Sequence, residues 1–232
     1  MKLNRLIVDV VIPAFNEENA VGLVIEDIPK GLVRNIVVVD NNSTDNTGAV
    51  AKKAGAKVVR EISQGYGAAC LKGLATLRDF RPLPEVVVFL DADYSDYPEE
   101  MPQLLEPIES RKAELVVGSR ALGKREKGAM LPQQIFGNWL ATWLMRALYN
   151  AKFTDLGPFR AITWSALEKI QMKDRDFGWT VEMQVKAMKK NIAVTEVPVR
   201  YRKRKGVSKI TGTVKGTFMA GYKIITTIFK YA

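Results

Sequence analysis

Histidine is absent from this 232-residue chain. Its absence excludes Ser-His-Asp and Cys-His nucleophile systems and any His-ligated metal, so a general base would have to be a carboxylate, a lysine or the substrate itself. Cys70 is the single cysteine. No intramolecular disulfide or zinc cluster can form around it, and it reads as a small core residue of a protein in a reducing compartment. Long apolar runs are missing too. The N-terminus MKLNRLIVDVVIP lacks a small-residue cleavage site, and no uncharged stretch approaches the roughly 18 residues of a membrane span. The expectation is a cytoplasmic chain that does not cross a bilayer. There is no internal repeat and no low-complexity linker, and a chain of this length with 47% hydrophobic residues can bury one large core. Residues 1–213 are expected to form that domain, with 214–232 as a C-terminal amphipathic helical segment.

Charge is lopsided: 35 Lys and Arg face 25 Asp and Glu, a net +10. Such a surplus favours phosphate-bearing partners, whether nucleotide, anionic lipid headgroup or nucleic acid. No basic, aromatic-interleaved motif of an RNA-binding type accompanies it, so nucleic acid is not expected as a partner.

Short β-branched runs at Leu6–Ile12, Asn35–Val39, Lys57–Val59 and Val86–Leu90 alternate with amphipathic stretches at Glu17–Ile28, Asp45–Ala54 and Tyr66–Phe80. Strands that alternate with crossover helices predict an α/β fold with a mostly parallel sheet covered by helices on both faces. In such sheets ligands collect at the carboxyl ends of the strands. A further strand is expected at Leu115–Gly118, then a mobile basic loop at Lys124–Gly128. Helices follow at Ile135–Tyr149 and Gly178–Asn191, an edge strand with Pro198 at Ala193–Tyr201, and a last helix at Gly212–Tyr231.

Three polar motifs fall at strand ends. Val86–Leu90 runs straight into Asp91-Ala92-Asp93, and carboxylates at the edge of a core call for a cation or a hydrogen-bonded turn. At a strand end both side chains can reach one hard divalent ion; an Asx turn is the other reading. Pro13, Ala14, Asn16 and Glu17 after the first strand, and Asp40, Asn42 and Ser43 after the second, offer directional partners for a base and ribose. Ser43 or Thr44 could equally cap a helix. Gly65 and Gly67, flanking Tyr66, let backbone approach a ligand closely before a helix N-terminus that favours an anion.

The ordered set PAFNEE, VVVDNNSTDNT, QGYGAA, FLDAD and GSR resembles the family 2 glycosyltransferases of the GT-A fold. The later segments Asp155–Arg160, Gly178–Met183, Glu196–Tyr201 and Gly206–Lys209 are similar to the dolichyl-phosphate or polyprenyl-phosphate sugar synthase branch. The resemblance extends to about Thr213. It implies transfer of a hexose from a UDP- or GDP-sugar with inversion, Mg²⁺ or Mn²⁺ being held at Asp91 and Asp93 against the diphosphate. Relatives often carry a glutamine two residues beyond the second aspartate, where this chain has Ser95.

A sugar hydroxyl acceptor needs a base, for which Asp155 or Glu182 would serve, whereas a lipid phosphate is already anionic and needs only positioning. Arg120, Arg160 and the cluster Arg200, Arg202, Lys203, Arg204, Lys205 and Lys209, with Ser208 beside it, offer partners for an acceptor phosphate and the donor diphosphate. A solvated basic strand end is the plainer reading of the cluster, and capping of the turn before Gly157 is that of Asp155. A polyprenyl acceptor requires bilayer contact, directly or through a membrane-spanning partner. The stripe Trp139, Leu140, Trp143, Leu144, Ala147 and Leu148 could be core or could lie in the lipid interface, as could the C-terminal stretch from Phe218 to Phe229. The expectation is thus a peripheral enzyme of the cytoplasmic membrane face. Transfer to a hydroxyl acceptor, or a nonenzymatic phosphate-binding module, are the rival readings.

Overall fold

β1 (Val8–Ala14, VDVVIPA) is buried at every position rather than every second one, Asp9 included, which places it in the middle of a sheet covered on both faces. The computed structural model describes residues 6–206 and 214–231. β1 pairs in parallel with β2 (Asn35–Asp40), Val11 opposite Val37, and with β4 (Val86–Phe89), Val10 opposite Val88. Beyond β2 lies β3 (Lys57–Arg60), also parallel. On the other side come β6 (Arg160–Thr163), β5 (Leu115–Ser119) and β7 (Val194–Pro198), giving the order β3-β2-β1-β4-β6-β5-β7.

Parallel winding is broken once. β6 runs antiparallel to both β4 and β5, and its four residues, opening on an arginine, carry no alternation a sequence reading could catch. β7 returns parallel to β5 at the sheet edge, with Pro198 opposite Ser119; the edge tolerates the missing N–H, as expected.

Strand alternation divides the core. Val11, Val37, Phe89 and Val117 face α3 (Tyr66–Leu77), α5 (Pro132–Tyr149), α6 (Trp164–Ile170), α7 (Trp179–Lys189) and α8 (Val214–Lys230). Val10, Ile12, Val38 and Val88 face α1 (Val21–Asp27), α2 (Thr47–Lys53) and α4 (Met101–Glu109). Cys70 is a fully buried core residue. α4 and α6 were not apparent from the sequence, and α1 and α2 begin later than their patterns predict. The first turn of each is taken up by the connections described below. α5 begins earlier, at Pro132, whose fixed φ suits the first helical position.

The two tryptophans of the stripe are not core, whereas Leu144 is half-buried against it. Ala141, Thr142 and Met145 turn inward, while Phe136, Trp139 and Trp143 remain 60%, 57% and 52% exposed. α8 likewise buries Thr227 and Ile228 and leaves Phe218, Met219, Tyr222 and Phe229 exposed. Among the described residues no helix is long and apolar enough to cross a membrane.

Candidate active site

A cleft of about 350 Å³ opens at the carboxyl ends of β1, β2 and β4, lined by Pro13, Ala14, Phe15, Glu17, Asn41, Gly65, Tyr66, Asp91, Ala92, Asp93 and Arg204 among others. Its rim is a knot of short polar side chains. Asn16 adopts φ 54° after the end of β1, a left-handed turn that Asn tolerates. Its N–H donates to Ser43 Oγ at 3.0 Å and its Oδ1 accepts from the Thr44 N–H at 2.8 Å. Asp40 Oδ1 accepts the Ser43 N–H at 2.9 Å, and Asn42 Oδ1 accepts from Arg60 at 2.8 Å. Asn16, Asp40, Asn42 and Ser43 therefore shape the mouth, and none of them lines the cleft. Ser43 and Thr44 tie two loops together instead of capping α2, whose N-cap position is Asn46.

Asn41 faces inward. Its Oδ1 accepts the Gly65 N–H at 2.8 Å while its Nδ2 donates to Ser63 O at 2.8 Å, fastening the glycine turn to the end of β2. The Gly65–Gly67 turn also makes room for this chain's own backbone. A Cβ on Gly65 would lie 2.2 Å from Arg175 O and one on Gly67 2.2 Å from Asp174 O. The glycines admit another stretch of this chain's own backbone, although Gly65 and Tyr66 also line the cleft.

The two acids stand at its floor. Asp91 Oδ1 accepts the Tyr66 hydroxyl at 3.0 Å. Asp93 is 4% exposed, its Oδ1 held by the Ser95 N–H at 2.9 Å and the Ser95 hydroxyl at 2.5 Å. Its Oδ2 receives the Arg204 guanidinium. Ser95 thus orients Asp93. Burial, and next the neighbouring Asp93 charge, push the Asp91 carboxyl up to about 6, against the pull of Tyr66, Arg204 and Arg120. Asp96 sits close behind, 2% exposed. Burial and the charges of Asp91 and Asp93 drive its carboxyl well above the usual range, and neither oxygen meets a hydrogen-bond donor among the described residues.

This is a donor set short of positive charge. Among the described residues no three His, Cys, Asp or Glu side chains are grouped to hold an ion, so the protein's share would be the two carboxylates Asp91 and Asp93. That fits a hard cation of the Mg²⁺ type, which keeps waters and completes its shell with substrate phosphates. The Arg204 guanidinium now neutralises Asp93. Burial works against its charge, but Asp93, Asp91 and Glu17 together raise its pKa.

The remaining predicted residues lie apart. Asp155, 1% exposed, takes a two-pronged grip from Arg120 Nε and Nη2 at 2.8 and 2.7 Å, and the Arg120 N–H at 2.7 Å. Burial alone would raise its carboxyl, but Arg120 more than offsets this and holds it below the usual range. Asp155 borders a second hollow of about 270 Å³ with Arg125, Trp139 and Arg146. Arg160 does not face an anion. It is fully buried, donates to the carbonyls of Leu156, Gly157 and Thr180, and burial lowers its pKa to about 10. Glu182 is also fully buried and accepts from the N–H groups of Lys173 and Asp174, from Lys186 and from the Tyr231 hydroxyl. Lys205 is exposed and lays its ammonium 5.4 Å from the Tyr94 ring centre, only its backbone N–H reaching Asp93 O at 2.9 Å. Ser208 and Lys209 lie outside the described residues.

Some lining residues escaped the motif reading. Phe15 and Asn41 sit inside the motifs PAFNEE and DNNSTD, but nothing in the spacing tells which motif residue points inward. Asp176 and Phe177 come from a loop after α6 with no local signature. Arg204 was one of several basic neighbours until folding set it on Asp93.

Known proteins resemble this chain in sequence and in fold. The family model described as Glycosyl transferase family 2 matches residues 9–171. A glycosyltransferase of Mycobacterium tuberculosis, itself uncharacterized, is 33% identical over 215 residues, 92% of this chain and 94% of its own. The undecaprenyl-phosphate mannosyltransferase of Micrococcus luteus is 28% identical over 222 residues, 89% of this chain and 88% of that protein. Glucosyl-3-phosphoglycerate synthase of Mycobacterium tuberculosis, solved with Mn²⁺, uridine diphosphate and glucosyl-3-phosphoglycerate, superposes with a TM-score of 0.78 at 22% identity, over 97% of this chain and 80% of that one. The architecture is thus the GT-A fold. With a sheet of this order, a cleft at its carboxyl edge and the family model spanning most of both, this chain belongs to glycosyl transferase family 2.

Proposed function

We propose that this glycosyltransferase is a metal-dependent, inverting enzyme that moves a hexose from a UDP- or GDP-sugar to a polyprenyl phosphate at the cytoplasmic face of the membrane. The observation that carries the reading is the convergence of Asp91 and Asp93 on the cleft floor with Arg204 beside them. Asp91 and Asp93 would hold Mg²⁺ or Mn²⁺, which would supply neutralising charge to the departing nucleotide. Arg204, paired with Asp93, would supply a second positive group for the phosphates. Tyr66 and Ser95 hold the two acids in place, so little reorganisation is needed when the glycosidic bond breaks.

An acceptor that is already anionic suits the residues available. The two carboxylates that could have served as a base are occupied, Asp155 by Arg120 and Glu182 by four donors. A phosphate oxygen attacking C1 needs no base. The Micrococcus relative's name specifies such an acceptor. The exposed Phe136, Trp139 and Trp143 of α5 and Phe218, Tyr222 and Phe229 of α8, on a chain of charge +10, support peripheral attachment to anionic lipid.

The test is a panel of UDP- and GDP-sugars incubated with the protein and Mn²⁺, scored for nucleotide release with and without a short polyprenyl phosphate. UDP-glucose is the first donor to try. Release that depends on the lipid phosphate is expected; release that requires a saccharide or another hydroxyl compound instead would overturn the acceptor, and none with any donor would overturn the activity.

A further inference from the structure

The cleft has one wall that belongs to none of the strand-end motifs. Residues 171–178, between α6 and α7, form a stretch without regular structure that brings Asp176 and Phe177 to the cleft. Two sides hold it. Toward the cleft, Arg175 O accepts the Ala68 N–H at 2.8 Å, and the backbone of Asp174 and Arg175 presses into space that only Gly65 and Gly67 leave open. On the far side the fully buried Glu182 accepts the Lys173 and Asp174 N–H groups at 3.0 and 2.7 Å.

The C-terminal helix completes this second side. Tyr231 donates its hydroxyl to Glu182 Oε1 at 2.6 Å, and Lys223 Nζ lies 3.2 Å from Asp174 Oδ2. Between them Thr227 stands so close to Gly178 that a Cβ there would come within 2.5 Å of its Oγ1. Lys223 and Thr227 of α8 and Tyr231 just past its end are spaced four apart and so continue one stripe. Asp174 passes the constraint on, since its Oδ1 accepts the Asp176 N–H at 2.7 Å. The end of the helix is fixed by the buried Ile228 and by Tyr149, whose hydroxyl donates to Ile228 O at 2.5 Å.

We propose that α8 is a strap that sets the 173–178 loop against the donor cleft, with Glu182 and Tyr231 as positioning residues for nucleotide-sugar binding. The assignment rests on reading that cleft as the donor site. It gives the acid of the GWTVEM segment a role distinct from proton transfer. Glu182 gathers loop and strap on one carboxylate, and the strap's opposite face is the aromatic surface offered to lipid, so contact with a bilayer and grip on the donor act on the same helix.

The experiment measures UDP and GDP affinity by calorimetry in Mn²⁺ for the full chain, Tyr231→Phe and Lys223→Ala, with circular dichroism as the folding check. Trypsin cleavage after Lys173 and Arg175, both exposed, is timed in the same samples. Loss of one hydrogen bond or ion pair at this hub should weaken nucleotide binding about threefold to tenfold and speed cleavage of the loop, with the circular dichroism unchanged. Equal nucleotide affinity and equal cleavage in all three proteins would overturn the strap while leaving the donor reading intact. If the unaltered chain binds neither nucleotide, the donor reading fails, and unchanged cleavage in the variants would then overturn the strap as well. Should Tyr231→Phe unfold, Lys223→Ala, altered at a partly exposed ammonium, carries the same comparison.

Discussion

The Tyr66 hydroxyl and Asp91 Oδ1 meet at 3.0 Å, joining the first residue of α3 to the acid that follows β4. The hydrogen bond stabilises the charged form of a carboxylate that burial and Asp93 push up to about 6. Tyr66→Phe should therefore raise the Asp91 pKa further. Mn²⁺-dependent nucleotide binding is expected to fall about threefold to tenfold at pH 6 and to change little at pH 8. An equal loss at both values, by calorimetry, would mean the hydroxyl touches the ligand instead of tuning the acid.

The raised pKa of Asp91 also fixes the sign of its contribution to stability. A carboxyl that titrates higher when folded than when unfolded costs the native state nothing below the unfolded value near 3.8, and its penalty grows as the pH rises through about 6. Asp91→Asn should raise the melting temperature of the metal-free protein at pH 7.5 by a few degrees and leave it unchanged near pH 3.5. Metal should behave in the opposite way. Because the ion needs the carboxylate, Mn²⁺ affinity should drop up to about tenfold per pH unit below 6.

Asp93→Asn removes the charge that Arg204 and the cation would share. Nucleotide release from a donor sugar is expected to fall by about two orders of magnitude or more, and chelator should reduce the unaltered enzyme to a similar level. Activity that survives chelation would place the catalytic charge on Arg204 and its neighbours alone.

Arg120 and Asp155 form a buried ion pair, and removing one partner strands the other. Arg120→Ala should destabilise the fold by about 3 to 5 kcal/mol, read in urea. The depressed Asp155 pKa gives stability that is present above the unfolded carboxylate value and is lost as acid titrates the folded group. The deficit of Arg120→Ala relative to the parent should accordingly shrink as the pH falls through and below the ordinary carboxylate range. The Arg120 guanidinium also lies 5.1 Å from the Tyr201 ring centre, and a pH-independent deficit would assign the loss to that contact instead.

Trp139→Ser with Trp143→Ser tests the outer face of α5. Both side chains are more than half exposed, so the melting temperature should hardly move, while flotation with anionic vesicles should drop severalfold. Retained flotation would remove α5 from the lipid contact.

Sequence alone determined the parallel core of this protein and the placing of acids at its edge. Near-continuous valines in β1, β2 and β4 can be buried only between two helical layers, and acids that directly follow such strands can only stand at the carboxyl edge. Which neighbour each polar residue meets was decided by tertiary structure. Asp155 and Glu182 read alike as possible bases, yet one closes on Arg120 and the other on loop and strap, because burial forces a carboxylate to take whatever donors the packing brings. Arg204 became part of the cleft, and Arg160 a buried brace, for the same reason. The tryptophans of α5 kept a helical spacing that fits core and surface equally well; only the rotation of that helix, set by Ala141 and Met145 in the core beside α7 and α8, turned them outward.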